Sequence, residues 1–312
     1  MKIFVYSYRE FDEAEFFQKF SKEYGVELGI CKDAPTLENA HLAEGYEYLS
    51  IITTKIDAQL VERFHELGVK MISTRTIGFD HIDLQAAKKF GMSVSNVSYS
   101  PECVADYTLM LMLMAIRKMK RIMQRAEIND FSLPGIQGGE LHNFTVGVLG
   151  TGRIGRAVIR DLSGFGCRIY AYDAYENEEV KKYAQYADLD TIYKECDLLT
   201  LHMPLEAENA HLLDAAAFAK MKDGAYLLNT ARGGLLDEHA VSQALRSGKL
   251  AGFGADVMSI EPMKADNPLR CAPNTVITPH IAWATKEARE RLISVVASNI
   301  ASFVAGNPEN IV

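Results

Sequence analysis

The sequence predicts an α/β protein built from two doubly wound parallel-sheet domains. Three observations lead there. Short apolar runs alternate with amphipathic segments along most of the chain, the pattern of parallel strands covered by helices. One run, Thr145–Leu149, enters the glycine-rich turn Gly150-Thr151-Gly152-Arg153-Ile154-Gly155 and then a helical pattern. With 312 residues the chain is also too long for one small core, so two domains are expected.

Taken in order, Met1–Tyr6 reads as a first strand, too short and too polar at its flanks for a signal peptide. Leu49–Ile52 and Lys70–Thr74 read as strands, and Ala58–Leu67 and Leu84–Phe90 have helical spacing. Ser100-Pro101-Glu102 places proline at a first helical position and opens a long helix expected over roughly 102–124. Its apolar centre, Leu109–Ile116, is about half the length of a membrane span. Arg117, Lys118, Lys120 and Arg121 follow, where cations suit the negative end of a helix dipole. Asn129–Glu140, rich in glycine and holding Pro134, is a surface loop. Beyond it, Cys167–Tyr172, Cys196–His202, Ala225–Asn229, Ala251–Val257 and Thr275–Thr278 are strand-like, enough with 145–149 for a sheet of six or seven strands. Thr285–Val304 closes the chain as an amphipathic helix.

The glycine turn has a specific physical reading. Gly150 permits the tight turn, Gly152 lets the backbone approach a pyrophosphate, and Gly155 allows close helix–strand packing. Thr151, Arg153 and Ile154 complete the cradle, where the pyrophosphate meets the N–H groups and positive dipole end of the following helix. Asp173 stands eighteen residues past Gly155, at the end of the next strand. There it accepts ribose hydroxyls and repels a 2′-phosphate. The residues after it, Ala174, Tyr175 and Glu176, include no arginine, so NAD is favoured and NADP disfavoured.

Composition narrows the partners. A net charge of −8 without basic clusters argues against nucleic acid and anionic membranes. Cysteines 31, 103, 167, 196 and 271 are scattered and lack a C-x-x-C spacing. They suit reduced thiols in the cytoplasm, not disulfides or a zinc site, and no metal is expected.

Ligands of such sheets bind beyond the carboxyl ends of the strands. Three polar residues follow the late strands: Arg232 after Leu228-Asn229, Glu261 after Ala255-Asp256-Val257, and His280 after Ile277-Thr278. Hydride transfer to a 2-oxo acid needs this set. A guanidinium grips the carboxylate with two parallel hydrogen bonds and polarises the carbonyl. An imidazolium protonates the carbonyl oxygen, and a neighbouring carboxylate fixes its tautomer and favours its charged form.

With these residues, and with His202-Met203-Pro204-Leu205, Met221–Ala225, Asn229–Gly234, Glu261-Pro262 and Thr278–Trp283, the chain resembles the D-isomer-specific 2-hydroxyacid dehydrogenases over essentially its full length. The resemblance implies that Arg232 binds the substrate carboxylate, His280 is the acid/base and Glu261 its partner. It implies that backbone N–H groups of Ile77 and Gly78 complete the carboxylate site, and that Tyr99 and Trp283 bear on pocket size. Met203, Pro204, Asn209, Thr230 and Ala231 are then expected to touch the cofactor, with Asp256 near the nicotinamide. The implied fold is a Rossmann-type NAD domain of residues 101–285 inserted into a flavodoxin-like substrate domain of residues 1–100 and 286–312. The expected assembly is a homodimer.

The two halves resemble different branches. Arg75–Asp80 and Val97–Pro101 are similar to D-lactate dehydrogenases and the vancomycin-resistance enzymes. Ser259–Pro262, Ala265–Leu269 and His280–Trp283 resemble hydroxypyruvate reductases. The expectation is NADH-dependent reduction of pyruvate or a larger apolar 2-oxo acid, with hydroxypyruvate or glyoxylate as the alternative. A reading of another class is an NAD-sensing scaffold like the corepressors that share the fold.

Overall fold

The structure, a computed structural model, describes residues 1–98 and 100–312. Tyr99, expected in the substrate pocket, lies outside the described residues. The chain divides into two compact units, residues 1–100 with 284–312 and residues 101–283.

The first unit opens with β1 (Lys2–Val5), α1 (Glu10–Tyr24), β2 (Glu27–Ile30), β3 (Tyr48–Ile51), α2 (Ala58–Glu66), β4 (Met71–Thr74), α3 (Leu84–Lys89) and β5 (Ser93–Ser95). Among the described residues these strands make a five-stranded parallel sheet in the order β2-β1-β3-β4-β5. That is the flavodoxin-like order, whose switch point lies between β1 and β3. Phe4, Tyr6, Leu49, Ile51, Phe64 and Ile72 fill the core between the sheet and its helices. α2 and α3 each start on an aspartate: Asp57 accepts the Leu60 N–H at 3.1 Å and Asp83 the Ala86 N–H at 2.9 Å. Such caps satisfy N–H groups that no helical carbonyl reaches.

The second unit contains α4 (Glu102–Ile116), α5 (Met119–Glu127), β6 (Thr145–Leu149), α6 (Arg153–Ser163), β7 (Arg168–Tyr172), β8 (Gln185–Tyr186) and α7 (Leu189–Glu195). It continues with β9 (Leu198–Leu201), α8 (Ala215–Lys220), β10 (Ala225–Asn229), α9 (Glu238–Ser247), β11 (Leu250–Ala255) and β12 (Thr275–Ile277). Among the described residues the sheet has seven parallel strands ordered β12-β11-β10-β9-β6-β7-β8. Counted from β6, this is the Rossmann order with one strand added, and its switch point lies between β6 and β9.

One expected element is corrected. The single helix over 102–124 is two helices, because Lys118 adopts a left-handed conformation (φ 53°) between α4 and α5. α4 buries Leu111, Met112, Ala115 and Ile116, whereas α5 buries nothing. At the break the 138–139 backbone packs against the end of α4, so closely that a Cβ on Gly138 would overlap the Ile116 carbonyl oxygen.

The chain returns to the first unit with α10 (Lys286–Val304), started by Thr285, whose hydroxyl accepts the Ala288 N–H at 3.1 Å. α10 packs against α1, with Arg289 bound to Asp12 at 2.6 Å. The tail then covers the exposed edge of β5: the Val312 N–H reaches the Val94 carbonyl at 3.0 Å and Ile311 bridges Ser95. An edge so paired no longer offers a template to another chain. Among the described residues no helix is long and apolar enough to cross a membrane.

Candidate active site

The glycine turn after β6 is shaped by contact distances. Gly150 has φ 97°, and a Cβ there would lie 2.6 Å from the His202 carbonyl carbon. A Cβ on Gly155 would overlap the Gly150 carbonyl oxygen, so α6 packs against the turn only with glycine there. Gly152 differs: a Cβ there would meet nothing within 4 Å. The turn therefore presents an open face just where α6 begins. α6 has no side-chain cap, so its first-turn N–H groups and dipole offer the charge that a pyrophosphate requires. Arg153 is the first residue of α6, and Ile154 packs against the core beneath it.

Asp173 follows β7 and is hydrogen-bonded into the turn. Its Oδ2 accepts the Thr151 N–H at 2.6 Å and the Thr151 hydroxyl at 3.0 Å, and its Oδ1 accepts the Tyr175 N–H at 3.2 Å. Beyond β9, Asn209 holds the Met203–Asn209 loop: its Oδ1 accepts the Glu206 N–H at 2.8 Å and its amide donates to the Pro204 carbonyl at 2.9 Å. Beyond β10, the Thr230 hydroxyl lies 2.9 Å from that of Thr108 on α4, and the Ala231 N–H donates to Asn229 Oδ1 at 3.0 Å.

Asn229, fully buried, also donates to the Arg232 carbonyl at 2.9 Å. It thereby fixes the backbone on both sides of Ala231. The next residue, Gly233, lies against residues 258 and 259, where any Cβ would overlap backbone. Glycine there lets the Arg232 turn pack directly on the segment that carries Glu261.

Glu261 receives the Met258 N–H on Oε1 at 2.8 Å and His280 Nδ1 on Oε2 at 2.7 Å. A carboxylate only accepts, so Nδ1 carries the proton and Nε2 is left as the working nitrogen. Burial raises the Glu261 carboxyl. The hydrogen bonds from His280 and Met258, with the charges of His280 and Arg232, outweigh it and hold the group below its ordinary range. Glu261 accordingly stays ionised at neutral pH and keeps a negative charge beside the ring. The pair remains partly exposed, 35% for the His280 side chain and 38% for that of Glu261, and so is open to solvent.

His280 sits at φ 54°, a region sparsely populated by residues other than glycine. Asp256 imposes it. Its buried carboxylate accepts the Thr278 hydroxyl at 2.6 Å, the Ile281 N–H at 2.9 Å and the Ala282 N–H at 2.7 Å. These bonds brace the backbone on either side of His280. The Trp283 indole N–H adds a bond to the His280 carbonyl at 3.0 Å.

Another histidine also follows a strand. His202 lies 2.9 Å from the Thr200 hydroxyl through Nε2, while its Nδ1 is buried with no partner among the described residues. Burial pushes its pKa down to about 3, so at neutral pH it has no acidic proton to give as an imidazolium.

In the first unit, the loop after β4 has its carbonyls occupied. The Ile77 carbonyl accepts the Asn96 amide at 2.7 Å, that of Gly78 the Thr76 hydroxyl at 2.6 Å, and that of Thr76 the Val97 N–H at 3.2 Å. Among the described residues the N–H groups of Ile77 and Gly78 have no acceptor. Two successive N–H groups without an acceptor are donors that an anion can use. Arg75, 4% exposed, anchors the loop from below, donating to the Ser50 hydroxyl at 2.9 Å and the Tyr6 carbonyl at 3.0 Å and pairing with Glu13 at 3.3 Å.

The second unit thus gathers Arg232, Glu261, His280, Asp256 and Trp283 on the three loops that follow β10, β11 and β12. Asp256 and Asn229 work as clamps on those loops. A buried polar residue at a strand end was the available signal, although residue type alone does not separate a clamp from a ligand. Among the described residues no group of three or more His, Cys, Asp or Glu side chains is arranged to hold a metal ion.

Residues 109–282 match the family model for D-isomer specific 2-hydroxyacid dehydrogenase, NAD binding domain. The chain is 41% identical to the aromatic 2-oxoacid reductase of Clostridium sporogenes, over 97% of its own length and 96% of that protein. The apo-structure of D-lactate dehydrogenase from Escherichia coli superposes with a TM-score of 0.91 at 35% identity, covering 100% of both chains. The NAD-complexed D-isomer specific 2-hydroxyacid dehydrogenase from Lactobacillus delbrueckii ssp. bulgaricus superposes with a TM-score of 0.85 at 30% identity, again over 100% of both chains.

Proposed function

The chain belongs to the D-isomer-specific 2-hydroxyacid dehydrogenase family, and we propose that it reduces pyruvate or a larger apolar 2-oxo acid at His280 and Arg232. It is an NAD-dependent oxidoreductase of 2-hydroxy acids. The observation that carries the residue assignment is the 2.7 Å His280–Glu261 pair on a loop braced by Asp256.

Bound NADH supplies the hydride. Arg232 takes the substrate carboxylate in a two-bond fork and draws electron density from the adjacent carbonyl. In the first unit, the N–H groups of Ile77 and Gly78 are donors suited to a carboxylate. His280 presents Nε2–H to the carbonyl oxygen. As the hydride reaches the carbon, the carbonyl π pair moves onto oxygen and takes the Nε2 proton, leaving a neutral imidazole. Glu261 stabilises the imidazolium before transfer and keeps the ring oriented throughout. In the reverse reaction the same nitrogen accepts the hydroxyl proton.

The open face at Gly152 and the uncapped start of α6 support pyrophosphate binding by Gly150–Gly155. Asp173 faces the adenosine ribose and disfavours a 2′-phosphate. Met203, Pro204, Asn209, Thr230, Ala231 and Asp256 line the remainder of the cofactor site. Residues 101–285 form the NAD domain and residues 1–100 with 286–312 the substrate domain, and Trp283 bears on the side chain accepted. The exposed apolar Met123, Ile128, Phe131 and Leu133 support a homodimer through the NAD domain. Cysteines outside any disulfide suit a cytoplasmic setting.

The test is NADH oxidation with glyoxylate, pyruvate, hydroxypyruvate, 2-oxoisocaproate, phenylpyruvate and oxaloacetate. The highest kcat/KM is expected for pyruvate, 2-oxoisocaproate or phenylpyruvate. A preference for hydroxypyruvate or glyoxylate would overturn the substrate assignment.

A further inference from the structure

We propose that Tyr186 is a positioning residue for cofactor choice, acting through Thr151 on Asp173. The inference rests on the reading that Asp173 faces the adenosine ribose.

The relay has only one direction. The Asn177 N–H can only donate, and its acceptor is Tyr186 Oη at 2.9 Å. Tyr186 keeps its own proton for Thr151 Oγ1, also at 2.9 Å. The Thr151 hydroxyl then donates to Asp173 Oδ2 at 3.0 Å, where a carboxylate can only accept. Each hydroxyl donates once and accepts once, so neither can reverse without breaking a neighbouring bond.

The consequence falls on Asp173. With the Thr151 N–H also on Oδ2 at 2.6 Å, that oxygen is committed to the protein. Oδ1, which accepts only the longer 3.2 Å bond from Tyr175, is the oxygen left for a ribose hydroxyl. Thr151 is 4% exposed, so the middle of the relay is shielded from water. Tyr186 reaches it from β8, a two-residue edge strand paired with β7. The same hydroxyl tethers the 174–177 segment through Asn177. A cofactor with a 2′-phosphate needs Asp173 to swing aside, and the relay opposes that swing. The chain thus disfavours NADPH both by the charge of Asp173 and by the rigidity that Tyr186 gives it.

The test compares NADH and NADPH in the intact enzyme, by nicotinamide-fluorescence titration and steady-state kinetics. The variants are Tyr186→Phe, Thr151→Val, Thr151→Ser, Asp173→Ala and the Tyr186→Phe/Thr151→Val double. Tyr186→Phe should raise the NADH Kd by roughly 3- to 10-fold and narrow the NADH/NADPH preference by a similar factor. At saturating NADH, kcat should stay within about twofold, since one hydroxyl bond away from the reacting atoms has been lost. Thr151→Val should act in the same direction and Thr151→Ser should retain the preference. In the Thr151→Val background Tyr186→Phe should add clearly less than it costs alone, because only its bond from the Asn177 N–H is then left to lose. Full additivity, equal losses for both cofactors, or no change overturns the relay. Asp173→Ala separates this from the underlying reading: an unaltered preference there means that Asp173 does not select the cofactor at all. A preference relaxed by Asp173→Ala but not by Tyr186→Phe removes the relay alone.

Discussion

His280→Ala is expected to lower kcat by about 10²- to 10⁴-fold, the range for removing a positioned general acid, while NADH binding persists. The substitution deletes the imidazole whose Nδ1 is held by Glu261 at 2.7 Å. The loop itself is fastened elsewhere, by the bonds of Ile281, Ala282 and Thr278 to Asp256. The loss should therefore fall on proton transfer and not on the fold. His202 cannot take over, because burial keeps it neutral, with a pKa of about 3. Fluorescence titration with NADH and single-turnover reduction at saturating substrate separate binding from chemistry. Turnover within a few-fold of the unmodified enzyme would remove His280 from the mechanism.

Arg232→Lys is the second large effect. It keeps a positive charge but replaces a planar fork by a point charge. Losing one charge-assisted hydrogen bond of about 1.5–3 kcal/mol predicts a fall in kcat/KM of roughly 10- to 150-fold. Most of it should appear as a raised KM for the 2-oxo acid, with the KM for NADH little changed. The backbone at this position is held by Asn229 and by the packing of Gly233 on residues 258 and 259, so the variant tests the side chain. A near-normal KM would place the carboxylate elsewhere.

Much of this was readable before any coordinates, for a steric reason. The fingerprint glycines meet hard limits: Gly150 at φ 97°, and Gly155 against the Gly150 carbonyl. Residues under such constraint advertise themselves in a sequence. The strand-end positions of Arg232, Glu261 and His280 were legible because apolar runs such as Ala225–Asn229 are buried along their whole length. Other elements left weaker traces. α1 opens with Glu10, Asp12 and Glu13 and has little apolar periodicity. β2 is four residues long, β8 two, and β5 is Ser93-Val94-Ser95, whose polar appearance hides a buried Ser95–Ser73 hydrogen bond of 2.9 Å. The break at Lys118 had no glycine to announce it.

The site shows the same division. Residue type and position marked Asp256 and Thr151 as important but pointed to the cofactor. In the fold they also bond inward, to the His280 loop and to Asp173. Tyr186 gave no signal, because a hydrogen-bond relay depends on which side chains the sheet brings side by side. Gly233 was visible as part of a motif, yet its reason, the close approach of two loops, appears only in the fold.

The most direct test of the account is to incubate the enzyme with NADH and pyruvate or phenylpyruvate and resolve the product on a chiral column. Stoichiometric NADH oxidation and the D-2-hydroxy acid are expected, with both lost in His280→Ala. An L-hydroxy acid, or tight NADH binding without turnover on any 2-oxo acid, would contradict it.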